Sequence, residues 1–186
     1  MISVSGRNWQ EKKIDIKLVE KIQQDFNFSQ TLSRLIVSRN FNENETYLIN
    51  NDLNLSNVFL RNTDFIKSLE LLEIAIKNND NICILGDYDV DGSAATSLWI
   101  RLLNHINHPH FHYIPDRIQD GYGASKKLFK KLILKKPKLV IMVDCGSTSL
   151  EAIDYLNKNN IKSLIIDHHE MTRPFPKATM IINPKK

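Results

Sequence analysis

Four apolar residues, Ile82-Cys83-Ile84-Leu85, run into Gly86-Asp87-Tyr88-Asp89-Val90-Asp91-Gly92 and then into Ser93-Ala94-Ala95-Thr96-Ser97-Leu98-Trp99. A short apolar run closed by glycine and followed by a helix-forming segment reads as a buried strand that delivers three carboxylates into a tight turn. In open α/β sheets, ligands bind beyond the carboxyl ends of the strands. If strand geometry continues, alternation puts Asp87, Asp89 and Asp91 on one side. Like charges this close repel unless a cation neutralises them, and hard divalent ions prefer oxygen ligands. The same residues also suit a capped turn, with Asp91 as N-cap and Gly92 easing the bend.

From Ile82 onward, strand and helix patterns alternate. Strands are predicted over Ile82–Leu85, Phe111–Ile114, Leu139–Val143 and Ser163–Ile166, and Ala178–Ile182 can add another. Helices are predicted over Ser93–His105, Ser125–Lys135 and Ser147–Lys158. This alternation implies an α/β fold: a parallel sheet flanked by helices, with right-handed crossovers. Thr63–Lys77 reads as an amphipathic helix that Thr63 or Asp64 can cap. Residues 1–60 show no strand alternation, and apolar clusters around Ile14–Ile22 and Leu32–Val37 suggest a small helical lead-in. Asn40 to Thr46 is a loop signal that can cap a helix. The expected organisation is a lead-in over 1–60 and an α/β domain over 61–186.

Composition narrows the class. A chain of 186 residues, 42% hydrophobic and 25% charged, can bury a real core. The net charge of +4 is compatible with a polyanionic partner without demanding one. Cys83 and Cys145 each sit in an apolar run, which argues against a disulfide framework or a zinc knuckle. No signal-peptide core or membrane-length apolar run occurs, so a cytoplasmic protein is expected.

Every strand of the repeat runs into reactive-looking residues. After the Asp87/Asp89/Asp91 turn come Pro115-Asp116-Arg117 with Asp120-Gly121-Tyr122-Gly123, then Asp144-Cys145-Gly146-Ser147, then Asp167-His168-His169-Glu170. Strand ends on one edge of a parallel sheet converge. Carboxylates and imidazoles in one crevice suit a pair of Mn²⁺ or Mg²⁺ ions better than structural zinc. Such a pair can activate water and stabilise both oxygens of a phosphoryl displacement. Other features weigh less. Pro109 interrupts the cluster His105, His108, His110 and His112, and no carboxylate or cysteine accompanies it. The lysine belt from Lys126 to Lys138 reads first as a solvated helix face and second as a DNA track. Trp9 can stack on bases, whereas Trp99 lies inside an apolar helix.

The motifs GDYDVDG, IMVDCGS and LIIDHHE, in that order, resemble the DHH phosphoesterase superfamily, whose name-giving motif stands here as Asp167-His168-His169. PDRIQDGYGAS, with the lead-in TLSRLIVSR and NETYLINNDL, resembles the RecJ branch, single-strand-specific 5′→3′ DNA exonucleases of repair and recombination. The resemblance implies metal ligands at Asp89, Asp91, Asp144 and His168, with Asp144 bridging two ions of Mn²⁺ or Mg²⁺. It implies catalytic roles for Asp144, His168 and His169, the last facing the scissile phosphate or helping to hold the second ion. Asp87 would stand behind the ligands or join them, and Asp167 would orient the histidines. Arg117 would contact a phosphate, and Gly121 and Gly123 would admit the substrate backbone closely. Implied partners are single-stranded DNA and, through the family, a single-strand-binding protein and a helicase, with no membrane.

Three departures bear on that reading. Many members of the superfamily carry His where this chain has Leu85, and Asn and Glu where it has Asp116 and Asp120. RecJ relatives also supply a further metal-binding Asp and substrate-binding domains downstream. The expectation is therefore an N-terminal fragment, poorly active by itself. The rival readings are another DHH phosphodiesterase acting on short oligonucleotides or cyclic dinucleotides, and an inactive truncated remnant.

Overall fold

The computed structural model of the chain describes residues 4–8, 10, 12–49 and 62–186. Trp9, the end of the NETYLINNDL stretch and the expected boundary near residue 60 lie outside the described residues. The chain divides into two compact units, residues 1–57 and 58–186.

In the first unit, α1 (Ile16–Phe26), α2 (Gln30–Ser38) and α3 (Glu43–Leu48) are each opened by a side-chain cap. Asp15 accepts from Lys17 N–H and Ser29 from Leu32 N–H. Asn42 and Glu45 form a reciprocal capping box, so α3 begins inside the polar stretch that reads as a loop. Val19, Ile22, Phe28, Ile36 and Val37 form the core of this unit.

The second unit is a five-stranded, all-parallel sheet in the order β2-β1-β3-β4-β5. The strands are β1 (Ile82–Leu85), β2 (His110–Tyr113), β3 (Leu139–Val143), β4 (Lys162–Ile166) and β5 (Met180–Ile182). Around them lie α4 (Thr63–Lys77), α5 (Val90–His105), α6 (Lys126–Leu132, continued by a 3-10 turn over Ile133–Lys135) and α7 (Leu150–Lys158). One face of the sheet, with Cys83, Leu85, Val140, Met142 and Ile165, packs on Leu128 and Phe129 of α6 and Ile153 and Leu156 of α7. The other, with Ile82, Ile84, Ile141, Val143 and Leu164, packs on Leu71 and Ala75 of α4 and Leu103 of α5, and Trp99 joins this core. Covering on both faces explains why β1 and β3 are apolar at every position. The edge strand β2 is half-exposed.

Element edges move from the expected positions for physical reasons. Helix α5 starts at Val90, with Asp89 rather than Asp91 as N-cap: Asp89 Oδ1 accepts Gly92 N–H at 2.9 Å. Extended geometry therefore ends at Asp89, and the three aspartates do not stay on one side of a strand. Helix α7 starts three residues late because the chain first turns, with Ser149 N–H donating to the Gly146 carbonyl and Leu150 N–H to that of Thr148, each at 3.0 Å.

The strand order reverses between β1 and β3, whose neighbours on either side are β2 and β4. That reversal opens a crevice at the carboxyl edge, between the turns after β1 and β3.

Candidate metal centre

Asp87 and Asp89 follow β1, Asp144 follows β3, and Asp167, His168 and His169 follow β4. The topology gathers them into two donor groups: Asp87, Asp89 and Asp144, and Asp144, His168 and His169, the ligand atoms of each lying within 4.8 Å of one another. Asp144 belongs to both. Its Oδ1 lies 3.0 Å from His168 Nε2, while its Oδ2 is buried without a hydrogen-bond partner. A buried carboxylate oxygen left unpaired is costly unless a cation completes it. The donor set, carboxylates with exposed imidazoles and no thiolate, fits Mn²⁺ or Mg²⁺. Asp144 adopts φ +61°, a left-handed conformation that costs a non-glycine residue energy and concentrates at functional sites.

Local electrostatics follow from this crowding. Burial, then the neighbouring Asp89 carboxylate, push the Asp144 carboxyl above the usual range. The Gly92 N–H at the start of α5 holds Asp89 below it. Burial alone would raise Asp167, but hydrogen bonds from Ser147 and His169 outweigh it and keep this carboxyl low. Asp167 in turn raises the His169 imidazole.

Asp167 is buried and is a member of neither donor group. Its Oδ2 accepts Ser147 N–H at 3.1 Å and its Oδ1 accepts His169 Nδ1–H at 2.7 Å, which leaves His169 Nε2 beside Tyr122 Oη at 3.4 Å. Asn183 donates to Ser147 Oγ at 2.8 Å and to the His169 carbonyl at 3.0 Å, tying the end of β5 to the same turn. Ser147 and Asn183 carry no sequence signal beyond their place at a strand end, and Asn183 reads as part of a polar tail.

Asp91, in the first turn of α5, joins neither donor group; it lines a cleft beside them with Asp144, Asp167 and His168. Asp87, buried after β1, is in a group. Leu85 is buried in the core, so hydrocarbon fills the position where the resemblance allowed a His ligand. Arg117 lies over the Tyr88 ring at 5.5 Å, Tyr88 meets Tyr122 edge-on at 6.4 Å, and Tyr122 meets His169 edge-on at 6.1 Å. A guanidinium and two phenol rings thus lead away from the donor groups. Gly121 and Gly123 have φ of +81° and +65°, so both glycines meet a backbone requirement. A Cβ at Gly121 would meet nothing within 4 Å, which leaves open space on that side.

The alternative chemistries lose ground here. Cys145 is buried with Sγ toward the Leu85 carbonyl, and burial pushes its thiol up, the opposite of what a nucleophile needs. His108 Nε2 contacts the Asp80 carbonyl at 2.7 Å and His110 Nδ1 the His108 carbonyl at 2.9 Å, and neither residue is in a donor group.

The profile of the DHH family, N-terminal domain, matches residues 81–186. The chain belongs to the DHH family. Among curated relatives of this DHH protein, the single-stranded-DNA-specific exonuclease RecJ of Bacillus subtilis is 26% identical over 98% of the chain and 23% of the relative. RecJ of Dickeya dadantii is 32% identical over 63% of the chain and 21% of the relative. The chain thus spans between a fifth and a quarter of the length of these relatives. A crystal structure of exonuclease RecJ bound to manganese superposes with a TM-score of 0.59 at 29% identity, over 63% of this chain and 30% of that one. RecJ from Thermus thermophilus in complex with Mn²⁺ shares the fold, with a TM-score of 0.63 at 21% identity over 91% of this chain and 24% of that one. Among the described residues, no helix is long and apolar enough to cross a membrane.

Proposed function

We propose that the chain carries the metal site of a phosphodiesterase that degrades single-stranded DNA from its 5′ end, a 5′→3′ exonuclease of repair and recombination. The observation that carries the reading is one buried carboxylate, Asp144, shared by two donor groups at the sheet's switch point. Similarity to single-stranded-DNA-specific exonucleases supports the substrate class.

Asp87 and Asp89 would hold one ion and His168 the other, with Asp144 bridging; Asp91 would act from the adjoining cleft. Bound Mn²⁺ or Mg²⁺ supplies an activated water and charge neutralisation at the attacking and leaving oxygens. Asp167 fixes His169 through Nδ1 and favours the imidazolium, the form in which Nε2, 3.4 Å from Tyr122 Oη, would also donate to a phosphate oxygen. The planar guanidinium of Arg117 suits bidentate contact with a phosphate further along the strand. The open backbone at Gly121 lets the strand approach without a side chain in the way.

Two measurements test this. Calorimetric titration with Mn²⁺ should show binding that Asp144→Asn abolishes. With Mn²⁺, turnover by this chain should be slow, but oligonucleotides labelled at the 5′ end should release labelled mononucleotides before internal products, and duplexes should resist. Turnover of dinucleotides with long strands untouched would favour a different DHH phosphodiesterase. Release that begins at the 3′ end would refute the polarity.

A further inference from the structure

The segment from Pro115 to Gly123 carries both Arg117 and Tyr122 and contains no regular element. Its own hydrogen bonds curl it into a turn: Asp116 Oδ1 accepts the N–H groups of Ile118 and Gln119 at 2.9 and 2.8 Å, and the Asp116 carbonyl accepts those of Asp120 and Gly121. Such local bonds shape a loop but do not fix where it sits. Tyr122 meets Tyr88 and His169 near one end of the loop, and Asp120 ties the loop to β2 and α6. Asp120 Oδ2 accepts from Tyr113 Oη at 2.6 Å, at the end of β2, and from Asp116 N–H at 3.2 Å. Asp120 Oδ1 accepts from Lys131 Nζ on α6 at 3.1 Å. The Asp120 side chain is only 4% exposed, although it lies in a surface loop.

We propose that Asp120 is a positioning residue for substrate binding: its carboxylate locks the 115–123 loop to β2 and α6 and so holds Arg117 at the strand-binding side of the metal centre. The inference rests on the phosphate-contact reading of Arg117. Its physical basis is that a long cationic side chain loses considerable rotamer entropy on binding, and a contact is worth most when its backbone is already in place. Arg117 has little else to hold it: its described contact is the Tyr88 ring, an interaction that does not define the loop's height above the sheet. The Tyr113 hydrogen bond, followed by Lys131, lowers the Asp120 carboxyl from its ordinary range, consistent with a charged anchor.

The test is binding of a 5′-phosphorylated, phosphorothioate-linked single strand with Mn²⁺, followed by anisotropy across a salt series. Arg117→Ala should weaken binding about tenfold or more, the worth of a hydrogen bond to a charged group. It should also lower the slope of log affinity against log salt by about 0.7, the loss of one phosphate contact on a single strand. Asp120→Ala should reproduce both effects, and the double variant should be no weaker than Arg117→Ala alone. Asp120→Glu should retain most of the affinity. Tyr113→Phe, which leaves the Lys131 pair intact, should shift both quantities in the same direction by less and guards against misfolding of the alanine variant. Weaker binding of Asp120→Ala at an unchanged salt slope, or additive losses in the double variant, would overturn the positioning role. If Arg117→Ala itself binds normally, the phosphate-contact reading fails, and this inference with it. If only Asp120→Ala binds normally, that reading stands and the positioning role falls.

Discussion

His169 Nδ1 lies 2.7 Å from Asp167 Oδ1, and the same oxygen accepts the backbone N–H groups of His168 and His169 at 2.8 and 3.1 Å. One carboxylate oxygen thus sets both the backbone turn and the ring orientation of the motif that names the family. Outer carboxylates of this kind commonly fix the tautomer and aim of an imidazole.

The first expectation concerns pH. In the metal-free chain His169 is raised by Asp167, so its contribution to stability is complete below the ordinary imidazole value and is lost as pH rises through the raised one. Asp167 is lowered, so its contribution is present above the ordinary carboxylate value and is lost as pH falls through the lowered one. The Tm advantage of the native chain over Asp167→Asn should therefore be greatest between roughly pH 4 and 6.5 and shrink on either side. Scanning fluorimetry in chelator checks this, and a pH-independent difference would refute the coupling.

Asp144→Asn should separate metal binding from stability. Asparagine tolerates left-handed φ, so it fits the +61° backbone where alanine would add strain. It also removes a buried charge that repels Asp89. Mn²⁺ affinity should fall below detection, while the metal-free chain gains about 1 kcal/mol, or roughly 2–4 °C in Tm. Loss of stability in the metal-free variant would mean that this carboxylate is structural.

Asp87 and Asp91 offer a direct comparison. Asp87 lies in a donor group with Asp89 and Asp144, whereas Asp91 lines the cleft beside it. Asp87→Asn should weaken Mn²⁺ binding at least tenfold more than Asp91→Asn, since outer contacts cost less than lost ligands. Calorimetry that ranks them the other way would make Asp91 rather than Asp87 the ligand.

Gly92 carries a packing constraint. A Cβ there would lie 2.6 Å from both the backbone N and O of Asp87, and backbone cannot move aside as a side chain can. Gly92→Ala should cost about 3 kcal/mol or more and loosen the Asp87 turn, reducing metal affinity as well. Gly121→Ala meets no atom and pays only for its positive φ, about 1–2 kcal/mol. Chemical denaturation that finds the two equally destabilised would show that the close approach at Gly92 relaxes.

By itself the sequence determined the layers and most of the site's membership. Short, β-branched apolar runs such as Leu139–Val143, set between helix patterns, read as strands covered on both faces, and polar residues at their ends mark the carboxyl edge. The gathering of Asp89, Asp144, His168 and His169 at one edge was legible for that reason. Three-dimensional packing decided what depends on distance across the sheet. It put Asp87 rather than Asp91 in the donor group of Asp89 and Asp144, because α5 begins at Val90 and carries Asp91 into its first turn. It also brought Ser147 and Asn183 to the DHH turn and Tyr113 and Lys131 to Asp120. Such partners are separated by 7 to 36 positions along the chain, and nothing in local propensity encodes them: a hydrogen bond between distant residues is specified only when strand order and helix packing bring its two ends within reach.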